Sequence, residues 1–469
     1  MRAMCFTLSS RGSAFREDSP FQSGEIMRRY VIIGSGAAGI ASIEAIRSQD
    51  AQGDIILVAE DPYGYYSRPG LAYLLSKEIP ESQLFPFSQK DFDRMPIKWV
   101  SARAARVLAD THQVELHDGR KIVYDRLLLA TGSQAIRISI PGTDLYGSVK
   151  LDNLDDARYI IKLARRGKSA VVVGGGITAL EIVEGLAARG VKVHYFLRED
   201  RYWASILDEN ESRVVEERLR EDGVKIHYHT ELAEVLGKKG RVVGVRTKKG
   251  EIIRCDIVAV AIGVRPRIEL AATCGLKTDR GILVDEHMQS SNSDIFAAGD
   301  IGQVLDPRTG KTMLDTLWSP ARTQGTCAGL NMSGKTYTFC KPIPYNVTRL
   351  AGLTTTIIGS VGGGGRDPDL FGIARGDSEV WRDTTGVCER SLIAGQSEFD
   401  VNRLRLVIGE RNILGAFLMG DQTLSKPVQQ LIVQQADICS VREQLLRPSR
   451  PLQDIIVDFF NHWQVQHAG

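Results

Sequence analysis

Three glycines near the start of the chain have a spacing that suits phosphate binding. They are Gly34, Gly36 and Gly39, and they directly follow the short apolar run 30–33. Residues 40–46 then carry apolar side chains at helical spacing. In a strand–turn–helix unit the first glycine permits a tight turn, the second lets the backbone approach a pyrophosphate, and the third lets the helix pack on the strand. The helix N-terminus then offers unpaired N–H groups to the anion.

A carboxylate follows at the position where such a unit contacts a ribose. The apolar run 55–59 ends in Glu60, roughly 20 positions beyond the glycines. Ala37 and Ala38 lie within the glycine motif and belong to the same predicted contact. Glycine spacing alone is a weak signal, but strand, glycines, helix, second strand and carboxylate together predict a dinucleotide-binding domain.

The pattern recurs at positions 171–197. An apolar run precedes a second glycine motif, a helical stretch follows it, and a further strand ends near Leu197. Its predicted nucleotide contacts are Gly174, Gly176, Ile177, Ala179 and Glu181. Each half also closes on an apolar run that ends in a small residue and glycine, with contacts predicted at Ala130, Thr131, Gly132 and Gly263. This duplication predicts an α/β chain with two Rossmann-like domains.

The two halves differ where the ribose is read. The position that corresponds to Glu60 holds Leu197, and Arg198 follows it. An arginine can pair with a 2′-phosphate, which favours NADPH over NADH. The alternative is that Arg198 is a solvated surface charge and Glu199 contacts the ribose of NADH.

Composition excludes several other classes of protein. The chain has 469 residues, so about three domains are expected. Its formal net charge is only +2, which argues against a nucleic-acid partner. No apolar run of about 18 residues is present, and the seven cysteines include no CxxC. We therefore expect no spanning helix, no disulfide framework and no zinc or iron–sulfur site.

With these motifs in place, the sequence resembles the two-dinucleotide-binding-domain flavoproteins of the pyridine nucleotide–disulfide oxidoreductase family. The segment 290–300, ending in Gly299 and Asp300, resembles the second FAD motif of that family. The resemblance implies FAD in the first domain, with Asp300 on the ribityl chain and Ala104 near the adenine. It also implies a nicotinamide nucleotide in the second domain, with Glu181 near the junction of the two cofactors. The alternative for Glu181 is a surface carboxylate in an ion pair.

The cysteines separate the branches of this family. Disulfide reductases carry redox cysteines after the second strand, but the corresponding stretch 61–75 holds none. Thiol–disulfide exchange requires a thiolate nucleophile, so that branch loses its mechanism unless a C-terminal cysteine acts in trans. The glutathione-reductase-type fold is therefore expected without its disulfide chemistry.

Two further segments resemble the ferredoxin and rubredoxin reductase branch. In the Y-x-R-P-x-L segment, Arg68 fits an arginine that lies beside the flavin, whereas Tyr73 stands where a lysine is expected. Trp318 fits a tryptophan beside the flavin, followed by a helix whose N-terminus points at the pyrimidine edge. The alternative for Trp318 is a core aromatic.

Four segments are expected. Residues 1–27 are rich in Ser and Arg and lack the continuous apolar core of a secretory signal, so we expect a disordered extension, with Met27 as the functional start and the cytoplasm as the default location. The resemblance implies the other three segments. Residues 28–146 and 266–340 form the FAD domain, residues 147–265 the NAD(P) domain, and residues 341–469 a small α/β interface domain that supports a homodimer. In the last segment we expect a β segment at 350–358, a flexible loop at 362–365, a hairpin of 404–408 with 413–419, and helices near 427–437 and 451–463.

The last predicted helix has two interpretations. Its apolar side chains suit membrane docking, but it carries two aspartates and lacks a basic face, so a core or dimer face is favoured.

Three functions follow as hypotheses. The leading one is an FAD-dependent NAD(P)H oxidoreductase that delivers electrons to a ferredoxin- or rubredoxin-like protein. The second has oxygen, a quinone or a nitrite-reductase partner as acceptor. The third is a flavin-binding structural or redox-sensing subunit.

Overall fold

Alternating strands and helices build most of the chain. A computed structural model describes residues 27–362, 375–381, 392–398 and 402–467. The α-helices are α1 Ala37–Gln49, α2 Gly70–Leu75, α3 Gln89–Asp93, α4 Leu154–Leu163, α5 Ile177–Ala187, α6 Glu209–Glu221, α7 Glu269–Thr273, α8 Trp318–Met332, α9 Ser425–Val433, α10 Arg442–Leu446 and α11 Leu452–His467. Short 3-10 turns span Glu81–Leu84, Ala109–Thr111 and Glu379–Trp381.

The strands form several sheets, some parallel and some antiparallel. They are β1 Arg29–Ile33, β2 Asp54–Ala59, β3 Lys98–Ser101, β4 Ala104–Leu108, β5 Gln113–Leu116, β6 Lys121–Val123, β7 Arg126–Leu129, β8 Ser133–Ala135, β9 Ser148–Val149, β10 Ser169–Val173, β11 Lys192–Phe196, β12 Lys225–His227, β13 Leu232–Lys238, β14 Arg241–Thr247, β15 Ile252–Ile253, β16 Ile257–Val260, β17 Val264–Pro266, β18 Ile282–Leu283, β19 Ile295–Ala297, β20 Gly302–Asp306, β21 Lys311–Met313, β22 Tyr345–Leu350, β23 Leu353–Gly359, β24 Leu392–Glu398, β25 Asn402–Ile408 and β26 Ile413–Met419.

The first sheet is parallel and has the order β19-β7-β1-β2-β3. Its central strands are apolar along their whole length because both faces are covered, as is usual for parallel sheets. Helices α1 and α8 pack on one face. The small antiparallel sheet β4-β5-β6 covers the other face. Because the strands are parallel, the carboxyl ends of β1, β2, β3, β7 and β19 all lie at the same edge of the sheet.

The second sheet repeats this arrangement with the order β12-β11-β10-β16-β9, again with parallel pairs. The correspondence extends to single atoms. Gly34 and Gly174 both have positive φ, and a Cβ on either would lie 2.1 Å from a carbonyl oxygen, that of Ala130 or Ala261. Only glycine lets the turn pass this close to the neighbouring strand. The duplication and the α/β fold class predicted from the sequence are confirmed.

The C-terminal sheet is antiparallel, with the order β22-β23-β26-β25-β24, and helices α9 and α11 pack on it. The predicted hairpin is confirmed as β25 and β26, and the two predicted helices as α9 and α11. The predicted β segment 350–358 is corrected. A turn at Ala351 and Gly352, both with positive φ, divides it into β22 and β23.

Two sequence predictions concern positions that fall largely outside the described residues, namely the N-terminal extension and the glycine run at 362–365. In helix α11, Ile455, Ile456 and Phe460 are buried against the C-terminal core. No helix in the described ranges has the length and apolar content needed to cross a membrane.

A buried ion pair joins the C-terminal sheet to the second nucleotide-binding unit. Arg405 on β25 donates to both carboxylate oxygens of Glu211 on α6, at 2.8 and 3.1 Å. It also donates to the carbonyls of Ile206 and Val361. The guanidinium thus has its hydrogen bonds satisfied across the interface, which is what burial of an ion pair requires.

Candidate functional site

A cavity of about 530 Å³ lies where the three sheets approach one another. It collects most of the residues that the sequence singled out. Those lining it are Gly34, Gly36, Ala37, Ala38, Glu60, Arg68, Ala104, Ala130, Thr131, Gly132, Ile177, Glu181, Gly299, Asp300 and Trp318. Those not on its wall are Gly39, Gly174, Gly176, Ala179, Arg198 and Gly263.

The first glycine motif forms an open cradle. Gly36 is the N-cap of α1, has no side-chain cap, and has no atom within 4 Å of the place where a Cβ would stand. Gly39, by contrast, lies so close to the preceding turn that a Cβ would meet the Gly34 carbonyl oxygen at 2.0 Å. The uncapped N–H groups of α1 are therefore available to a phosphate, and the helix dipole favours an anion there.

One end of the cavity carries Glu60 and Ala104. Glu60 is an exposed carboxylate directly after β2, and Ala104 begins β4. Arg103 and His117, which sequence reasoning missed, line the same end and are joined by a hydrogen bond from the His117 N–H to the Arg103 carbonyl at 2.9 Å. This end supplies acceptor and donor groups suited to a nucleoside.

Asp300 lies at the middle of the wall. The Ser133 hydroxyl donates to Asp300 Oδ2 at 2.5 Å, and the Thr131 hydroxyl donates to the Arg267 carbonyl at 2.9 Å. These bonds fix the segment that follows β7 against the residues that follow β19 and β17. Asp300 itself lines the cavity.

Arg68 is half-buried on the cavity wall. Its Nη1 donates to the Asp152 carbonyl at 2.8 Å, and its guanidinium lies 5.5 Å from the centroid of the Tyr66 ring. Tyr66 in turn donates to Asp61 at 2.9 Å. The arginine is therefore held as part of the cavity wall and is not a mobile surface group.

Trp318 is not a core aromatic, because 49% of the residue is exposed. It is the first residue of α8, its indole N–H lies 3.4 Å from the Tyr65 hydroxyl, and the Arg322 guanidinium lies 5.3 Å from its ring. Trp318 therefore connects the cavity wall to the protein surface.

The second motif opens into the same cavity. Ile177, Thr178 and Glu181 of α5 line it, and Gly176, the N-cap of α5, has no side-chain cap. Among the described residues, neither Thr178 Oγ1 nor Arg267 Nε has a hydrogen-bond partner although both atoms are buried. Buried polar atoms are almost always paired, so two unpaired ones on a cavity wall fit a polar ligand.

Two carboxyls of α5 have raised pKa values. Burial, with a smaller contribution from Glu184, raises the pKa of Glu181 to about 8. Burial also raises the pKa of Glu184 to about 7, against the hydrogen bond that it accepts from the Gly352 N–H at 3.0 Å. Tyr73 lies on the same wall, and burial and then Glu181 raise the pKa of its phenol.

Arg198 lies beyond the end of β11, away from the cavity wall. Its Nε donates to Glu199 Oε1 at 3.0 Å, and both side chains are about half exposed. A cation and a carboxylate are thus both present where the ribose of a nicotinamide nucleotide is expected, and the choice between NADPH and NADH stays a prediction.

Two further arginines of the site, besides Arg103, escaped sequence reasoning. Arg267 directly follows the motif ending at Pro266, so its position next to a recognised motif was a usable signal. Arg375 reaches the cavity from the C-terminal part of the chain, where no motif marks it. No cluster of three metal-ligating side chains occurs within the described ranges.

The fold and the site define a two-nucleotide oxidoreductase class, and comparison with known proteins agrees. The model of the pyridine nucleotide–disulphide oxidoreductase family matches residues 28–325. The chain is 33% identical to rhodocoxin reductase of Rhodococcus erythropolis over 353 residues, which are 73% of this chain and 82% of that protein. It is 31% identical to the ferredoxin–NAD(+) reductase component of a 3-phenylpropionate/cinnamic acid dioxygenase of Photorhabdus laumondii, covering 65% and 77% of the two chains.

Solved structures agree on the fold. A ferredoxin reductase from Rhodopseudomonas palustris has a TM-score of 0.77 at 24% identity, covering 91% of this chain and 99% of that one. The chain belongs to the pyridine nucleotide–disulphide oxidoreductase family, and the resemblance read from the sequence is confirmed.

Proposed function

We propose that the protein is an FAD-dependent NAD(P)H oxidoreductase that passes electrons to a ferredoxin- or rubredoxin-like protein. One observation carries the proposal. The uncapped N-termini of α1 and α5, one from each nucleotide-binding unit, open into a single cavity. Two phosphate-binding helix ends that share one cavity suit two dinucleotides that must meet.

The residues present fit FAD at the first unit. The cradle at Gly36 would receive the pyrophosphate, Glu60 the adenosine ribose, and Asp300 the ribityl hydroxyls. The unpaired Arg267 Nε and Thr178 Oγ1 supply further polar contacts to bound cofactors. When bound, FAD supplies the conversion of a two-electron hydride donor into single-electron transfers.

The cavity contains no thiol to intercept these electrons. No cysteine occurs among the residues that line it in the described part of the chain. Trp318 instead extends the wall to the surface. The named relatives include several reductases of ferredoxin or rubredoxin, which supports a redox protein as the acceptor.

The proposed reaction is tested by rapid anaerobic mixing of the FAD-loaded protein with NADH and with NADPH. Loss of the oxidised flavin spectrum is expected with at least one of them, followed by its return when a rubredoxin or a ferredoxin is added. An oxidised flavin spectrum that stays unchanged with both nucleotides would contradict the proposal.

We propose NADH as the donor that the wild-type protein prefers. Arg198 is engaged by Glu199, and the printed names of several relatives refer to NAD(+) or NADH. The NADPH preference inferred from Arg198 alone is the competing outcome of the same experiment.

The acceptor distinguishes the proposal from its alternative. A relative from Methanocaldococcus jannaschii is named NADH oxidase, which keeps oxygen as a second candidate. NADH consumption measured with rubredoxin, with a quinone and with oxygen alone separates these acceptors. Faster turnover with oxygen than with either redox protein would favour the oxidase.

Two finer expectations belong to this proposal. A homodimer is supported by the edge strand β24, where Leu392 and Ile393 are exposed, and light scattering tests it. A cytoplasmic location is supported by the cysteines of the described residues, which are free thiols as in reducing compartments, and cell fractionation tests it.

A further inference from the structure

A short strap, residues 375–381, carries the C-terminal part of the chain into the cavity. It pairs with 314–316, the segment just before α8. The Thr316 N–H donates to the Asp377 carbonyl at 3.0 Å, and the Gly376 N–H donates to the Thr316 carbonyl at 3.0 Å. At its far end Trp381 is fully buried against Trp203. The strap is therefore held at several points, and Arg375 and Gly376 lie on the cavity wall.

Arg375 is held tightly at the cavity wall. Its Nη1 donates to the Leu151 and Asp152 carbonyls at 3.0 and 3.2 Å, and its Nη2 donates to Asp152 Oδ1 at 2.9 Å. Only 18% of its side chain is exposed. An arginine with three fixed hydrogen bonds has little conformational freedom left, so its charge has one position.

Three arginines meet at this end of the cavity. Arg68 shares the Asp152 carbonyl with Arg375, and Arg267 lies close enough for both to lower the pKa of its guanidinium, after the larger effect of burial. Two carboxylates lie beside these arginines: Asp152, whose Oδ2 also accepts from Lys150 at 2.8 Å, and Asp61, whose Oδ2 lies 3.9 Å from Arg68 Nη2. Glu181, on the same wall, has a raised pKa. Positive charge therefore exceeds negative charge here.

We propose that Arg375 is a cavity-lining cation that stabilises reduced flavin relative to oxidised flavin, an inference that rests on the proposed function. Hydride transfer from NADH adds two electrons and one proton to the flavin and yields NAD⁺, so the bound flavin gains one negative charge at neutral pH. A fixed cation in a partly water-excluded cavity interacts more favourably with the charged state than with the neutral one. Arg375 thus gives the C-terminal part of the chain control over the flavin potential.

The test measures the flavin midpoint potential of the FAD-loaded full chain, together with the dissociation constant of oxidised FAD. Arg375→Gln is expected to reduce the preference for reduced over oxidised FAD about tenfold, which lowers a two-electron potential by about 30 mV. Arg375→Lys keeps the charge and is expected to restore most of the shift. Arg403→Gln removes a part-buried, ion-paired arginine of the C-terminal sheet that does not line the cavity. It is the matched control and should leave the potential unchanged.

The outcomes are distinct. If wild-type protein binds no FAD, or NADH does not reduce it, the proposed function fails. If wild type is reduced but Arg375→Gln only lowers the melting temperature and keeps the potential, Arg375 is a structural tie and the inference is overturned. Should Arg375→Gln not fold, Arg375→Met decides by the same measurement, because it also removes the charge while keeping the apolar stem; a wild-type potential in this variant overturns the inference.

Discussion

Arg68 and Arg375 donate to the same backbone oxygen, that of Asp152, at 2.8 and 3.2 Å, although they lie 84 and 223 residues from it in the chain. One arginine comes from the first nucleotide-binding unit and the other from the C-terminal part. The carbonyl that they share lies just before α4, at the entry to the second unit. Three parts of the chain therefore meet at one backbone oxygen atom, next to Leu151 of the cavity wall.

The glycine cradle predicts a separation between ligand binding and folding. In Gly36→Ala the added Cβ meets no protein atom, so the melting temperature should be unchanged while FAD binding weakens at least tenfold, about 1.4 kcal/mol. In Gly39→Ala the Cβ meets the Gly34 carbonyl oxygen, so the protein itself should be destabilised. Fluorescence titration with FAD and thermal unfolding of the apoprotein measure the two effects. Equal FAD affinity in Gly36→Ala and wild type would contradict the placement of the pyrophosphate.

Much of the cradle was readable from the sequence because local rules decide it. Gly34, Gly36 and Gly39 work through the backbone of one turn, so spacing along the chain suffices to identify them. Arg375 could not be found this way, because its place depends on the pairing of its strap with 314–316, a contact with no local signature. The turn at Ala351 was missed for a related reason, since a non-glycine residue with positive φ is rare enough that sequence rules do not expect it.

Glu181 predicts a pH-dependent stability. Its carboxyl has a pKa of about 8 in the folded protein against 4.5 in the reference state, so between these values the folded protein binds more protons than the unfolded one. Stability must then fall as the pH rises from about 4.5 to about 8. Glu181→Gln removes the ionising group and should be more stable than wild type by about 1–2 kcal/mol at pH 9, with a smaller difference at pH 5.

Urea unfolding of the apoprotein at both pH values measures this difference. Glu184→Gln is the matched control on the same helix. Its gain in stability over wild type should reach its full size at a lower pH than that of Glu181→Gln, because the pKa of Glu184 is about 7. A gain from Glu181→Gln that is the same at pH 5 and pH 9 would show that ionisation is not its cause.

Trp318 predicts a selective defect in electron transfer to a protein. It is half exposed and extends the cavity wall to the surface, so Trp318→Ala should raise the KM for a rubredoxin or ferredoxin about tenfold, a typical cost for an aromatic residue at an interface. Reduction of ferricyanide, a small acceptor, should change little. Tyr337→Ala removes another half-exposed aromatic, beyond the other end of α8, and serves as control. Equal losses with ferricyanide and with the protein acceptor would place the defect in flavin reduction instead.

Arg198 and Glu199 predict opposite changes in nucleotide preference. The pair is solvent-exposed and therefore contributes at most about 1 kcal/mol to stability, so either residue can be replaced without harm to the fold. Glu199→Ala should raise the KM for NADH about tenfold by removing a ribose acceptor, and it should improve the relative use of NADPH because a carboxylate that repels the 2′-phosphate is gone. Arg198→Ala should spare NADH and weaken NADPH. Kinetics with both nucleotides decide, and a Glu199→Ala protein that keeps wild-type preference refutes this account of the ribose site.

The ion pair of Arg405 and Glu211 predicts the cost of separating the C-terminal sheet from α6. Arg405→Met leaves Glu211 buried without its cation, which should lower the free energy of unfolding by about 3–5 kcal/mol. In the double variant Arg405→Met with Glu211→Gln, most of this loss should return, because glutamine carries no charge and can still accept the hydrogen bond from the Asp208 N–H. Arg411→Met breaks the exposed pair with Asp437 and should change the free energy of unfolding far less, because solvent screens this pair. Urea unfolding of the wild type and these three variants measures the free energies. If the double variant is no more stable than Arg405→Met, the lost packing of the arginine weakens the interface, and the unpaired carboxylate does not.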